Sequence, residues 1–318
     1  MLVSGGAGFL GSHLCEYFLN QRFKVIAIDN FLTGSEKNIF KFRSNKNFSF
    51  INHDITKKFK IDATIDYILH FASPASPVDY LKMPIKTLKV GSTGTENMLS
   101  IAEKNDATIL LASTSEIYGD PLVHPQNENY FGNVNPVGPR GVYDEAKRYL
   151  EALATAYKNY RGVDIRIARI FNTYGPKMRK NDGRAIPNFL NQFLNNKPYT
   201  VYGDGKQTRS FCYVDDTVEC IIRLLFSNYS RPLNIGNPYE ISLLDLIKII
   251  DKIDNKDSEI EFYPITENDP KIRKPDIELA KKLLNWKPKI SLNEGLKKTI
   301  EYFKVSVWLI DISISFYF

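Results

Sequence analysis

Cysteine is scarce: the 318-residue chain holds three, Cys15, Cys212 and Cys220, with no CxxC spacing among them. Three thiols make a poor disulfide framework and point to a reduced, cytoplasmic setting. Histidine is rare as well, with four residues. No Cys/His spacing resembles a ligand set, so no metal site is expected. Long apolar runs are missing too. The tail 305–318 is the longest, and Asp311 interrupts it. A membrane-spanning helix takes about 20 apolar residues, so no membrane association is expected. Blocks of one charge are also absent. The net charge of +6 is spread over 42 basic and 36 acidic residues, which excludes a basic patch for nucleic acid. Met1 leads at once into a glycine loop, so the expectation is a protein without a signal peptide.

What is present is an alternation of two periods. Strand-like runs occur at Phe23–Ile28, Phe48–Ile51, Tyr67–Phe71, Thr108–Leu111 and Asp164–Ile170. Several are continuously apolar, as parallel strands covered on both faces are. Helical patterns lie between them at Gly11–Gln21, Pro84–Lys104 and Asp144–Arg161, the last stopping at Gly162. The pattern predicts an α/β fold with a Rossmann-like doubly wound parallel sheet over residues 1–171. Beyond it the texture changes to short strands, turns and separate helices such as Leu243–Ile253 and Asp276–Leu284. Residues 172–304 are read as a smaller, partly discontinuous C-terminal substrate domain with segments returning to the sheet. Residues 305–318 form an atypical apolar tail, whose alternation at Ile312–Phe316 is a strand pattern. The first strand, Met1–Ser4, is short for a central one.

Ser4-Gly5-Gly6-Ala7-Gly8-Phe9-Leu10-Gly11 sits between a strand and a helix. Gly5, Gly8 and Gly11 permit a tight turn and let backbone N–H groups approach a pyrophosphate at the helix N-terminus. Such a loop alone is a weak signal; the strand–loop–helix context strengthens it. Asp29 ends the second strand, about 20 residues on, where a carboxylate binds ribose hydroxyls and repels the extra phosphate of NADP. NAD is the expected cofactor. Asp54, after the third strand, either meets the adenine amino group or caps a turn.

Tyr143 and Lys147 stand at i and i+4, on one helix face. An ammonium near a phenol favours the phenolate, so Lys147 is expected to lower the Tyr143 pKa and make it a base for a sugar hydroxyl. Spaced alone, such a pair is usually just helix surface. A hydroxyl-rich segment, Ser113-Thr114-Ser115-Glu116, follows the fifth strand-like run at the carboxyl edge where ligands bind in such sheets. Thr114 can share the substrate proton.

Gly5–Gly11, Asp29, Thr114 and Tyr143-xxx-Lys147 resemble the extended short-chain dehydrogenase/reductase family, whose members act on nucleotide sugars with bound NAD. Ala72-Ser73-Pro74-Ala75-Ser76-Pro77, Ser113–Glu116, Asn135–Arg140, Asn181-Asp182-Gly183-Arg184, Gln207-Thr208-Arg209 and Arg273-Lys274-Pro275-Asp276 resemble its UDP-glucuronate decarboxylase branch. The likeness runs from about residue 2 to about residue 303. It implies a carboxy-lyase that forms UDP-xylose through a UDP-4-keto intermediate, as a homodimer. Tyr143, Thr114 and Lys147 would serve the 4-hydroxyl, Glu116 the decarboxylation and reprotonation, and Arg273 the reacting sugar. Phe9, Leu10, Asn30, Thr33, Ile55, Ser73, Lys89 and Ala112 would neighbour the cofactor. Asn172, Arg184 and Arg209 would bind the UDP-sugar, with Asn188 and Tyr202 about as readily structural.

Other enzymes of the family remain open at this point. A 4,6-dehydratase needs a second acid where this chain has Ser115. A 4-epimerase needs no arginine to read a carboxylate. A nucleotide-sugar-binding regulator without catalysis sits poorly with an intact Thr114, Tyr143 and Lys147.

Overall fold

The structure is a computed structural model that describes residues 1–264 and 272–315, with side chains described through residue 305. In chain order the first part runs β1 (Leu2–Ser4), α1 (Phe9–Asn20), β2 (Val25–Asp29), β3 (Phe48–Asn52), β4 (Tyr67–His70), α2 (Pro77–Lys82), α3 (Pro84–Lys89), α4 (Thr95–Asn105), β5 (Thr108–Thr114), α5 (Gly141–Arg161) and β6 (Ile165–Ile170). The second part runs β7 (Thr173–Tyr174), α6 (Ala185–Leu194), β8 (Tyr199–Tyr202), β9 (Thr208–Ser210), β10 (Cys212–Tyr213), α7 (Val214–Leu225), β11 (Pro232–Ile235), β12 (Glu240–Ser242), α8 (Leu243–Asp251), β13 (Ile260–Tyr263), α9 (Glu278–Leu284) and α10 (Leu292–Ser315).

Among the described residues the main sheet has seven parallel strands in the order β11-β6-β5-β4-β1-β2-β3. The order reverses between β1 and β4, which opens a crevice beyond their carboxyl ends. The strands read as apolar runs because successive side chains feed opposite faces. In β5, Leu110 joins the core beneath α1 and α7, while Ile109 and Leu111 join the one beneath α4 and α5. In β1, Val3 and Leu2 divide in the same way. Three residues suffice for this central strand because it is paired on both sides, to β2 and to β4. The chain beyond residue 171 does return to the sheet, as β11 beside β6.

Three expectations are corrected. The strand predicted to stop at Leu111 continues through Thr114, held by β6 up to the Thr114–Ile170 register. Ser113 and Thr114 therefore lie on the strand, and only Ser115–Tyr118 forms the following helical turn. The helix predicted over Pro84–Lys104 is α3 and α4 joined by a wider five-residue turn at Val90–Gly94. The strand pattern at Ile312–Phe316 is helical backbone as far as Ser315, the end of α10; Phe316 lies outside the described residues. Helix α10 is anchored by buried Leu296, Ile300 and Phe303. With no Gly or Pro after Gly295, propagation costs less than abandoning a formed helix for a short unpaired strand.

Candidate active site

The crevice is a cleft of about 520 Å³ running from the glycine loop, past the ends of β5 and β6, to α6 and β9. A narrower extension of about 70 Å³ continues along Asp29, Asn30, Thr33, Asp54 and Ile55.

At the loop, Gly5 adopts φ +72° and packs so closely that a Cβ would lie 2.7 Å from the backbone N of Ala72. A Cβ on Gly11 would lie 2.0 Å from the Gly5 carbonyl oxygen. Only hydrogen fits at either place. Helix α1 starts at Phe9 with Gly8 as its N-cap and no side-chain cap among the described residues, and Phe9, Leu10 and Gly11 line the cleft. Its first-turn N–H groups and the positive end of its dipole are thus offered to an anion. Asp29 accepts from Ala7 N (3.0 Å) and Phe31 N (2.8 Å). Burial nonetheless raises its pKa, and its remaining lone pairs suit ribose hydroxyls. Asp54 accepts from Thr56 N (2.9 Å) and Thr56 Oγ1 (2.8 Å), so its carboxylate caps a turn, at the edge of the narrower extension. A dinucleotide fits this end: a glycine cradle, an uncapped helix terminus and a ribose-level carboxylate lie along one groove.

The reacting end is built by α5 against β5. Helix α5 begins at Gly141, three residues before the predicted start at Asp144, and stops at Gly162, φ +71°, as predicted. It carries Tyr143 and Lys147 on the face toward β5, both about 95% buried. Lys147 Nζ donates to the Ala112 carbonyl (2.8 Å) and stands 5.7 Å from the centre of the Tyr143 ring. Thr114 accepts from Glu116 N (3.3 Å), capping the turn that follows. The Tyr143 ring stacks on Tyr80 of α2, 5.1 Å between centres and 5° between planes. Behind β5, Ser113 donates to Glu151 (2.5 Å), which also holds Arg169 through two bonds. This buried network fixes the strand end that carries Thr114.

Glu116 is gripped from two sides. Arg140 Nη2 donates to it at 2.5 Å, and Arg273 makes two contacts, one at 3.1 Å. Burial opposes ionisation, but the Arg140 and Arg273 guanidiniums overcome it and hold the carboxyl well below the usual range. Held so, Glu116 is ionised. The tyrosine expectation is corrected. Burial, then the charge of Glu116, pushes the Tyr143 phenol above its ordinary range, and Arg184 and a hydrogen bond with Thr114 only partly offset this. Burial also lowers Lys147 to about 8. The lysine's charge is directed to a carbonyl rather than to the phenol, so spacing alone misjudged the tyrosine.

The same cleft collects most of the residues singled out in sequence. Ser73, Ala112, Asn172, Arg184, Asn188, Tyr202, Arg209 and Arg273 all line it. Arg184 pairs with Asp182, and Asn188 Nδ2 reaches the Gly183 carbonyl at 3.4 Å. Tyr202 is 46% exposed at the rim. Lys89 is an exception. It is exposed on α3, and its neighbour Val90, where the wider turn begins, lines the groove instead. Sequence reasoning missed Arg140 and Tyr80. Arg140 stands three residues before Tyr143 in a segment already notable, and its distance from a helix start was the available signal. Nothing local marks Tyr80. Among the described residues no group of three His, Cys, Asp or Glu is placed to hold a metal ion, and no helix is long and apolar enough to cross a membrane.

A parallel sheet with a glycine cradle at its switch point and a buried Tyr-xxx-Lys pair beside a strand-end threonine defines an NAD-dependent enzyme of the extended short-chain dehydrogenase/reductase class. Residues 2–299 match the family model described as GDP-mannose 4,6 dehydratase, and the chain belongs to that family. It is 49% identical to UDP-glucuronic acid decarboxylase 1 of Xenopus tropicalis over 304 residues, 96% of this chain and 72% of that one. It is 50% identical to UDP-glucuronic acid decarboxylase 1 of Arabidopsis thaliana, over 96% of this chain and 69% of that one. Among solved structures it resembles UDP-glucuronic acid 4-epimerase from Bacillus cereus in complex with UDP-glucuronic acid and NAD, with TM-score 0.85, 30% identity, and 95% and 98% of the two chains covered. It also resembles UDP-glucose 4-epimerase from Thermotoga maritima, with TM-score 0.87, 28% identity, and 96% and 99% covered.

Proposed function

We propose that the protein decarboxylates UDP-glucuronate to UDP-xylose with bound NAD. The observation that carries this reading is the position of Arg140 and Arg273, two guanidiniums converging on Glu116 beside Tyr143 and Thr114. They supply carboxylate-reading groups that a 4-epimerase of a neutral sugar does not need. The curated relatives' names agree with it.

The residues act on the sugar as follows. Tyr143, as its phenolate, takes the proton of the 4-hydroxyl, with Thr114 sharing that hydroxyl; its raised pKa makes the phenolate a minor form but a stronger base. NAD, when bound against the glycine cradle and Asp29, supplies the acceptor and later the donor of the C4 hydride. The 4-keto uronate is a β-keto acid, so the C5–C6 bond breaks with its electron pair moving into an enolate on O4, and CO2 leaves. Tyr143 and Thr114 hold the enolate oxygen. C5 then takes a proton from solvent, and as the hydride returns to C4 Tyr143 gives back the proton at O4. Net, one proton is consumed and no redox equivalent is lost. Glu116, ionised, keeps both guanidiniums aimed at the end of the cleft where the carboxylate enters. Lys147 holds the Ala112 carbonyl and the strand edge. Asn172, Arg184 and Arg209 serve the diphosphate, and Asn188 and Tyr202 the uridine. Residues 1–171 form the cofactor half and 172–304 mainly the substrate half.

The test is incubation with UDP-glucuronate. CO2 and UDP-xylose are expected in equal amounts. UDP-galacturonate without CO2 would make the protein a 4-epimerase.

The protein is further read as a cytoplasmic homodimer. Leu81, Ile85 and Leu88 on α2 and α3 and Tyr149 on α5 are exposed, and these helices pack side by side. An apolar surface of this kind suits a second copy.

A further inference from the structure

Asp144 is a buried carboxyl that the mechanism above does not use. It lies one residue past Tyr143 and four past Arg140, on the helix face that Arg140 shares. It is 5% exposed, and its Oδ1 has no hydrogen-bond partner among the described residues. It does not line the cleft, whereas Glu116, Arg140, Tyr143 and Arg273 do. The charged and titratable groups that act on it come from every side: Glu116 on the turn after β5, Arg140 and Glu145 on its own helix, Arg273 ahead of α9, Tyr80 on α2, and Tyr143.

We propose that Asp144 is a positioning residue that sets how strongly the cleft holds a substrate carboxylate, through its buried, unpartnered carboxyl oxygen next to Glu116 and the two guanidiniums. This deepens the UDP-glucuronate reading and rests on it. Arg140 and Arg273 already share Glu116. Whatever else they meet, ionising Asp144 adds one negative charge to the end of the cleft that must accept the substrate's own. The nucleotide half of the substrate is held by Asn172, Arg184 and Arg209, and UDP-xylose, which shares that half, serves as the control for it. Burial, and after it the charge of Glu116, raises the Asp144 carboxyl to about 7. The residue therefore changes state across the neutral range, and a decarboxylase that needs its substrate's carboxylate bound is tuned by it.

The test is calorimetric binding to NAD-loaded Tyr143→Phe protein, which holds substrate without turning it over, from about pH 5.5 to about pH 7.5, where Lys147 keeps most of its charge. The Kd for UDP-glucuronate should rise roughly tenfold across this range, while that for UDP-xylose, which lacks the carboxylate, stays flat. Adding Asp144→Asn, which matches the shape without the charge, should leave both flat at the low-pH value. A rise that survives Asp144→Asn overturns the proposal. So does an equal weakening of UDP-xylose, a comparison that needs no variant at position 144. Carboxylate-selective, pH-dependent binding in a wild-type protein that releases no CO2 would support the role of Asp144 while sinking the decarboxylase reading.

Discussion

Glu116 and Arg273, 157 positions apart in sequence, meet as a buried ion pair with Arg273 Nη2 3.1 Å from Glu116 Oε2. The contact joins the end of β5 to the segment ahead of α9 and so closes the sugar end of the cleft with side chains from both halves of the chain. Breaking one partner of such a pair leaves the other buried and uncompensated. Glu116→Gln should lower unfolding stability by about 2–4 kcal/mol, measurable by denaturant melts. It should also slow UDP-xylose formation at a step after 4-oxidation, so the 4-keto intermediate should accumulate transiently. Unchanged stability would show that the pair is not maintained in solution.

Tyr143→Phe should leave the fold intact, because the ring keeps its stack on Tyr80 and only the hydroxyl is lost. Turnover should fall by about 100- to 10,000-fold, and mixing with UDP-glucuronate should produce no reduced-cofactor absorbance. Near-normal UDP-xylose formation would remove Tyr143 from the mechanism.

Asp29→Ala should weaken NAD binding and narrow its margin over NADP, since the carboxylate is positioned at the ribose end of the groove. Fluorescence titration with both cofactors checks this. Equal affinity for both in the unaltered protein would contradict it.

The Asp144 carboxyl is raised to about 7 in the fold, against about 3.9 in an unfolded chain. The folded state binds the extra proton between these values. Stability from this group is therefore full below about pH 4 and is lost as pH rises through about 7. Asp144→Asn should gain on the unaltered protein over that window, by on the order of 1–3 kcal/mol, and the gap should level off above it. Thermal melts across pH measure the gap; a constant difference would refute the linkage.

Ile85→Arg, on the exposed apolar face of α3, should convert a dimer into monomers at micromolar concentration by light scattering. A monomer before substitution would exclude the dimer.

The cofactor half was legible because its signals are local. A strand, a glycine turn and a helix are neighbours in sequence, Asp29 ends the next strand, and the 3.6-residue period places Tyr143 over Lys147 on one face. Backbone geometry alone enforces those relations. Even so, β5 ran past Leu111 because pairing with β6, not local propensity, ended it, and α10 continued through an alternating stretch that has strand character only beside a partner. The charge states lay further out of reach. Whether Tyr143 is an easy or a difficult base, whether Glu116 can give up a proton, and whether Asp144 carries a charge depend on burial and on arginines brought from residues 140 and 273. Sequence settles which groups are present and which share a helix face; electrostatic energies depend on distance and on exclusion of water, and only the packed chain sets those.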